Sequence, residues 1–252
     1  DKLFEYLQSL GEAEIKTIRT LSSTSDIWNA LADMGFSNAT KSGTQSKSKN
    51  VLFCLDMSSS MISTFSSKST GELSTRILSA NKNLLKIYDD HVAPNDYIGF
   101  IRFNHMVYHE FPLTQKGQGS KSLRSILEMA TDARGGTRMY KAMWDAVNQI
   151  IESESCIYES WIIALTDGMS ADTPHFVMDK LEELNKKRRL KIHVIVVGVE
   201  VPKMVVSTCE NFCTVSDKSV YINSRGGLDA MTEAFEQVGA IISSGGTTME
   251  TF

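Results

Sequence analysis

The stretch Val51-Leu52-Phe53-Cys54-Leu55-Asp56-Met57-Ser58-Ser59-Ser60 decides how this chain folds. Its apolar opening, with no polar alternation, reads as a strand buried on both faces, the kind found at the centre of a parallel sheet. Asp56 then falls at the strand's C-terminal end, in the crevice where open α/β sheets bind ligands. Ser58 and Ser60 follow at alternate positions, so three small oxygen donors converge there. An unpaired carboxylate out of water costs several kcal/mol, whereas a hard cation such as Mg²⁺ or Mn²⁺ welcomes such donors. Asp and Ser are also good helix caps, and D-x-S-x-S alone leaves both readings open.

Working outward, Gly71 and Glu72 lead into a helix with apolar face Leu73, Ile77, Ala80, Leu84 and Ile87, ending before Pro94. Tyr97 to Phe103 reads as a second strand and Met106 to Phe111 as a third. The Asn104-His105 link is too short for a parallel crossover, so these two strands are antiparallel neighbours. His105 and His109 stand four apart, but in an extended hairpin that spacing makes no metal-binding face. A short helix over Lys121 to Met129 precedes Arg134-Gly135-Gly136-Thr137-Arg138. Thr137 opens the next helix, as its N-cap or as a ligand presented at its terminus; the apolar face is Met139, Ala142, Met143, Ala146, Val147 and Ile150.

Trp161 to Thr166 is a fourth strand, again apolar throughout its middle and again ending in a carboxylate, Asp167. Thr173 as cap and Pro174 at the first helical position open a helix with Val177, Leu181 and Leu184 inward. Ile192 to Gly198 and Val220 to Ile222 complete the strands, with a short helix or turn over residues 203 to 213 between them. Leu228, Met231, Phe235, Val238 and Ile242 mark a C-terminal helix. Alternating strands and helices give one doubly wound α/β domain over residues 50–244. Residues 1–36 carry apolar positions at helical spacing and form a helical N-terminal extension; 37–49 are a polar linker, and 245–252 a flexible tail. Both chain ends read as boundaries within a longer, multidomain protein.

The chain has 252 residues and a formal net charge of −4, so no global basic field argues for nucleic acid. The basic run Lys186-Lys187-Arg188-Arg189 reads as a solvated turn that complements a helix end. No apolar run approaches the roughly 18 residues of a membrane span, which excludes direct membrane insertion. Cys54 lies in the apolar strand as a small hydrophobe. Cys156, Cys209 and Cys213 make no zinc pattern, though a Cys209–Cys213 bridge remains an alternative.

The loops carrying Asp56, Ser58 and Ser60, then Thr137, then Asp167, are far apart in sequence, yet parallel strands present their C-terminal ends along one edge. Two carboxylates so close repel unless a divalent cation lies between them. With these motifs assembled, residues 50–244 resemble a von Willebrand factor A domain with a complete metal-ion-dependent adhesion site. D-x-S-x-S, Gly-Gly-Thr and Thr-Asp-Gly each stand where that family has them. The resemblance implies a mainly parallel six-stranded sheet, Rossmann-like, in order 3-2-1-4-5-6 with strand 3 antiparallel. It implies that Ser58 and Ser60 ligate Mg²⁺ or Mn²⁺ directly, while Asp56, Thr137 and Asp167 exchange between direct and water-mediated contact. It further implies a non-enzymatic protein-binding and adhesion module whose partner supplies an Asp or Glu to the metal, and a C-terminal helix able to slide. No cysteine pair brackets the matched region, which points to the intracellular, cytoplasmic members, with an extracellular setting left open. Two alternatives remain beside it. A Mg²⁺-dependent phosphatase would also use a strand-end Asp, with Asp167 and Asp172 as its second acidic pair, but Ser58 stands where such an enzyme needs a general acid. The other is a metal-independent scaffold, which missing ligands would favour.

Overall fold

In the computed structural model the decisive stretch becomes strand β1, Asn50–Asp56, with all seven residues buried. The structure describes residues 48–129, 132–153, 159–186 and 190–243, together with Lys16. The expected extension over 1–36 (Lys16 apart), the linker as far as 47, the tail, Cys156 and residues 187–189 lie outside the described residues. The chain divides into units 1–47 and 48–252, and the second contains everything that follows.

Its elements run β1 (Asn50–Asp56), β2 (Thr64–Ser66), β3 (Leu73–Thr75), α1 (Arg76–His91), β4 (Tyr97–Phe103), β5 (Val107–Gln115), α2 (Lys116–Met129), α3 (Met139–Glu152), β6 (Glu159–Thr166), α4 (His175–Lys186), β7 (Lys191–Val199), α5 (Lys203–Asn211), β8 (Val220–Ser224) and α6 (Leu228–Ser243). The main sheet has the order β5-β4-β1-β6-β7-β8. Every pairing in it is parallel except β4 with β5, as the short Asn104-His105 link requires.

Side chains of β1 alternate between two cores, because successive residues of a strand point to opposite faces. Val51, Phe53 and Leu55 pack with Ile77, Ala80, Leu84 and Ile87 of α1, Leu123 and Leu127 of α2, and Met231, Phe235 and Val238 of α6. Leu52 and Cys54 pack on the other face with Met143 and Val147 of α3, Val177 and Leu181 of α4, and Val205 of α5. Helices covering both faces explain why β1, β6 and β7 read as near-continuous apolar runs.

Several local expectations shift. Leu73 does not begin a helix: it pairs with Ser66 in a small two-stranded hairpin and is largely exposed. The helix starts three residues on, because Thr75 takes an extended backbone and its hydroxyl accepts the Leu78 N–H at 3.3 Å. Strand β5 continues past Phe111 to Gln115, and α2 follows at once from Lys116 rather than Lys121. Pro174 stands just before α4, with its carbonyl accepting from Val177 and Met178. Lys186 pairs with Glu182 one turn back, and His109 is engaged by Asp145 and Gln149. Cys209 and Cys213 are both free thiols, which sets the bridge aside.

Candidate metal centre

Strands β1 and β6 end side by side, with Leu55 opposite Leu165, so the chain leaves the sheet at Asp56 and at Asp167 along one edge. Asp56 is fully buried and both of its oxygens are engaged. Oδ1 accepts the Ser58 N–H at 2.8 Å, and Oδ2 accepts the Thr166 hydroxyl at 2.7 Å. The first bond is an Asx-type turn, which swings the backbone out of the strand and into a short 3₁₀ helix, Ser59–Ile62. Ser58 occupies the N-cap position of that helix, but its hydroxyl makes no cap bond.

The Ser58 hydroxyl instead lies 3.0 Å from that of Ser60, and Ser60 donates to Oδ1 of Asp167 at 2.6 Å. With the Ser60 proton committed to Asp167, Ser58 is the donor in the serine pair. The other oxygen of Asp167 accepts from Nη1 of Arg76 at 2.7 Å in a largely buried ion pair. Burial pushes the Asp56 carboxyl up to about 6; the bonds from Ser58 and Thr166 act in the opposite direction, and the nearby Asp167 charge adds to the rise. A carboxylate so poorly solvated is one that a cation would stabilise strongly.

Thr137 is buried in the loop before α3, and its contacts run through its carbonyl, which accepts from the Ala171 N–H at 2.8 Å and the Ser170 hydroxyl at 3.4 Å. Its expected service as N-cap is not what the structure shows. Arg138 holds that position without a side-chain bond. Two orphan N–H groups of the first turn are satisfied from the Asp167 loop, Met139 by Ser170 at 2.8 Å and Lys141 by Asp172 at 2.7 Å. Gly135 holds the other side together: its φ is +77°, its carbonyl accepts both the N–H and the hydroxyl of Ser59 at 3.1 Å, and a Cβ there would lie 2.4 Å from the His105 ring.

The donor set suits a small hard ion. An octahedron with oxygens at about 2.1 Å has adjacent corners roughly 3.0 Å apart, which is the Ser58–Ser60 hydroxyl separation. Among the described residues no three His, Cys, Asp or Glu side chains are grouped to hold a metal, so an ion here would rest on neutral hydroxyls beside two carboxylates.

Asp56, Ser58, Ser60 and Asp167 are thus joined by a chain of hydrogen bonds, whereas Thr137 bonds Ser170 and Ala171 of the loop that follows Asp167. Sequence reasoning missed Arg76 and Ser170 as parts of this edge, and it met Thr166 only within the Thr-Asp-Gly motif and Asp172 only as part of a phosphatase acidic pair. Thr166 was legible as the strand residue before Asp167. Arg76 was not, because placing the helix start at Leu73 hid a basic residue at a helix N-terminus.

Among solved structures, the PilB minor pilin from Streptococcus sanguinis aligns over 81% of this chain and 64% of its own, at 15% identity and a TM-score of 0.64. This chain therefore spans less than two thirds of that relative. The SpRpn10 VWA domain aligns over 75% of this chain and 94% of its own, at 16% identity and a TM-score of 0.54. Proximal thread matrix protein 1 from the mussel byssus, with a zinc-occupied MIDAS motif, aligns over 77% of this chain and 46% of its own, at 17% identity and a TM-score of 0.54. At these identities the likeness is one of fold. No curated protein sequence matches the chain. The family profile described as the von Willebrand factor type A domain matches residues 50–234. The sheet order, the helices on both faces and that match agree: the chain belongs to the von Willebrand factor type A domain family, whose members commonly act as protein–protein interaction modules.

Proposed function

We propose that this domain is a divalent-metal-dependent protein-binding module. Ser58 and Ser60 hold Mg²⁺ or Mn²⁺, with Asp56, Thr137 and Asp167 completing the set directly or through water. A bound ion would supply a Lewis-acidic corner for an Asp or Glu of the partner. The observation that carries this reading is the continuous run of oxygens from Ser58 through Ser60 to Asp167 at the end of the two central strands. Neutral hydroxyls leave such an ion electron-poor and favour an anionic further ligand. A solved fold neighbour, the mussel protein, carries zinc in its own MIDAS motif, which supports this reading.

The surroundings suit a protein partner. Ile62, Met106 and Met169, in the loops after β1, β4 and β6, are each more than half exposed, and methionine side chains adapt readily to a docking surface. A phosphatase reading gains nothing from the geometry, since Asp172 is engaged as a helix cap and Ser58 offers no acidic proton. Cys54, Cys209 and Cys213 as free thiols favour an intracellular setting.

The test is titration of Mn²⁺ into the wild-type domain and into Asp56→Ala, each verified as folded, followed by capture of partners in Mg²⁺ and in EDTA. The reading requires Mn²⁺ binding that Asp56→Ala loses and partners that EDTA releases. Partners retained equally in all conditions would reject it, and so would turnover of a generic phosphomonoester.

A further inference from the structure

We infer that Arg76 is a resident counter-cation of this centre, one that weakens ion binding by the chain alone and couples it to arrival of the partner's carboxylate. The inference rests on the metal reading above and adds the residue that sets its affinity. Arg76 is the first residue of α1, where the positive end of the helix dipole disfavours a basic side chain. Its backbone N–H donates to the Ser63 carbonyl at 3.0 Å, at the end of the 3₁₀ helix that carries Ser60. The guanidinium is therefore fixed to the same loop as the hydroxyl donors. Nη1 sits 2.7 Å from Oδ2 of Asp167, whose side chain is entirely buried, while Nε is buried without a hydrogen-bond partner. Such an orphan donor is costly and is retained here beside a charge that needs it.

The consequence follows from charge. Asp56 and Asp167 balance a divalent ion, and the Arg76 guanidinium then remains as one uncompensated positive charge at the centre. Like charges at this range oppose one another, as neighbouring charges shift proton affinities by roughly tenfold to a thousandfold. Arg76 must therefore lower the affinity of the empty centre for a cation. The same charge raises the affinity of the loaded centre for an anion, and binding linkage is reciprocal, so a carboxylate tightens the ion in return. Ion and acidic partner are then held together far better than either is held alone.

The experiment measures Mn²⁺ affinity of the whole chain for wild type, Arg76→Gln and Arg76→Lys, each with and without millimolar acetate. Arg76→Gln is expected to bind Mn²⁺ about tenfold or more tightly than wild type and to gain less from acetate. Arg76→Lys, which keeps the charge, is expected to stay within about threefold of wild type. Should Arg76→Gln unfold without metal, because Asp167 is left buried and unpaired, added Mn²⁺ is expected to restore its circular dichroism. Failure of Mn²⁺ to restore it would overturn the inference. Equal Mn²⁺ affinities in wild type and Arg76→Gln would overturn the role of Arg76 while leaving the metal centre intact. Absence of Mn²⁺ binding in every variant would overturn the centre itself and this inference with it.

Discussion

The hydroxyl of Thr166 donates to Oδ2 of Asp56 across 2.7 Å, tying together the last turns of two adjacent central strands. This bond reaches a carboxylate with no exposed surface, so its donor is not replaceable by water. Thr166→Val keeps the shape and deletes the donor. It is expected to destabilise the fold by about 1–3 kcal/mol, seen as a lower urea midpoint at an unchanged slope. A change under about 0.5 kcal/mol would mean that Asp56 finds another donor.

Asp172 separates two accounts of the same edge. Its carboxylate accepts the Lys141 N–H at 2.7 Å and so caps α3 from a different loop. Asp172→Ala is expected to cost about 0.5–2 kcal/mol in thermal or urea unfolding. Mn²⁺ affinity should change far less than in Asp56→Ala. An equal loss of Mn²⁺ binding would place Asp172 among the ligands.

Gly227 has a φ of +86°, and a Cβ there would stand 2.6 Å from the Ser66 carbonyl oxygen. Because the obstacle is backbone, no side-chain rotation relieves it. Gly227→Ala is expected to destabilise by about 1–3 kcal/mol. It should also speed amide exchange over residues 66–72, where Asp229 holds Ser67, Lys68 and Ser69 by their N–H and hydroxyl groups. Unchanged exchange would show that the hairpin is held without this approach.

His193 supplies a pH dependence that does not involve Asp56 or Asp167. Burial under Trp161, whose ring centroid lies 4.6 Å away, pushes the imidazole down to about 4; Glu159 acts upward and Lys218 downward. The unfolded chain, with an ordinary value of about 6.5, takes up the proton first. The contribution of neutral His193 is thus complete above about pH 6.5 and is lost as the pH falls from there towards about 4. Urea midpoints at about pH 7.5, 6 and 5 should decline less steeply for His193→Gln than for wild type. Parallel declines would assign the loss to other groups.

Much of this was legible in the sequence, for physical reasons that differ by residue. Uninterrupted apolar runs at Val51–Leu55 and Trp161–Leu165 fix central parallel strands, and the two-residue link at Asn104-His105 fixes the antiparallel edge. Strand ends then bring Asp56 and Asp167 together without any contact being known. What escaped was set by pairing over short distances. Leu73 fits a helical face by spacing, yet Ser66 claims it as a strand partner, and Thr75 caps the helix after it. Thr137 reads from the sequence as a cap or as a ligand at the helix start, because small polar residues before helices are common caps. Ser170 and Asp172 do that work from the Asp167 loop, and no local pattern in the sequence announces a cap supplied from so far along the chain.

Ser60 and Asp167 touch although 107 residues separate them, and only the pairing of β1 with β6 brings them near. A nascent chain that has left the ribosome as far as the end of α3 therefore carries Ser58, Ser60 and Thr137 but not the carboxylate that Ser60 meets. Loop closure of this length is slow and comes late in folding. The Ser60–Asp167 contact is then a late event made on the finished sheet, and a truncated or misfolded copy lacks it.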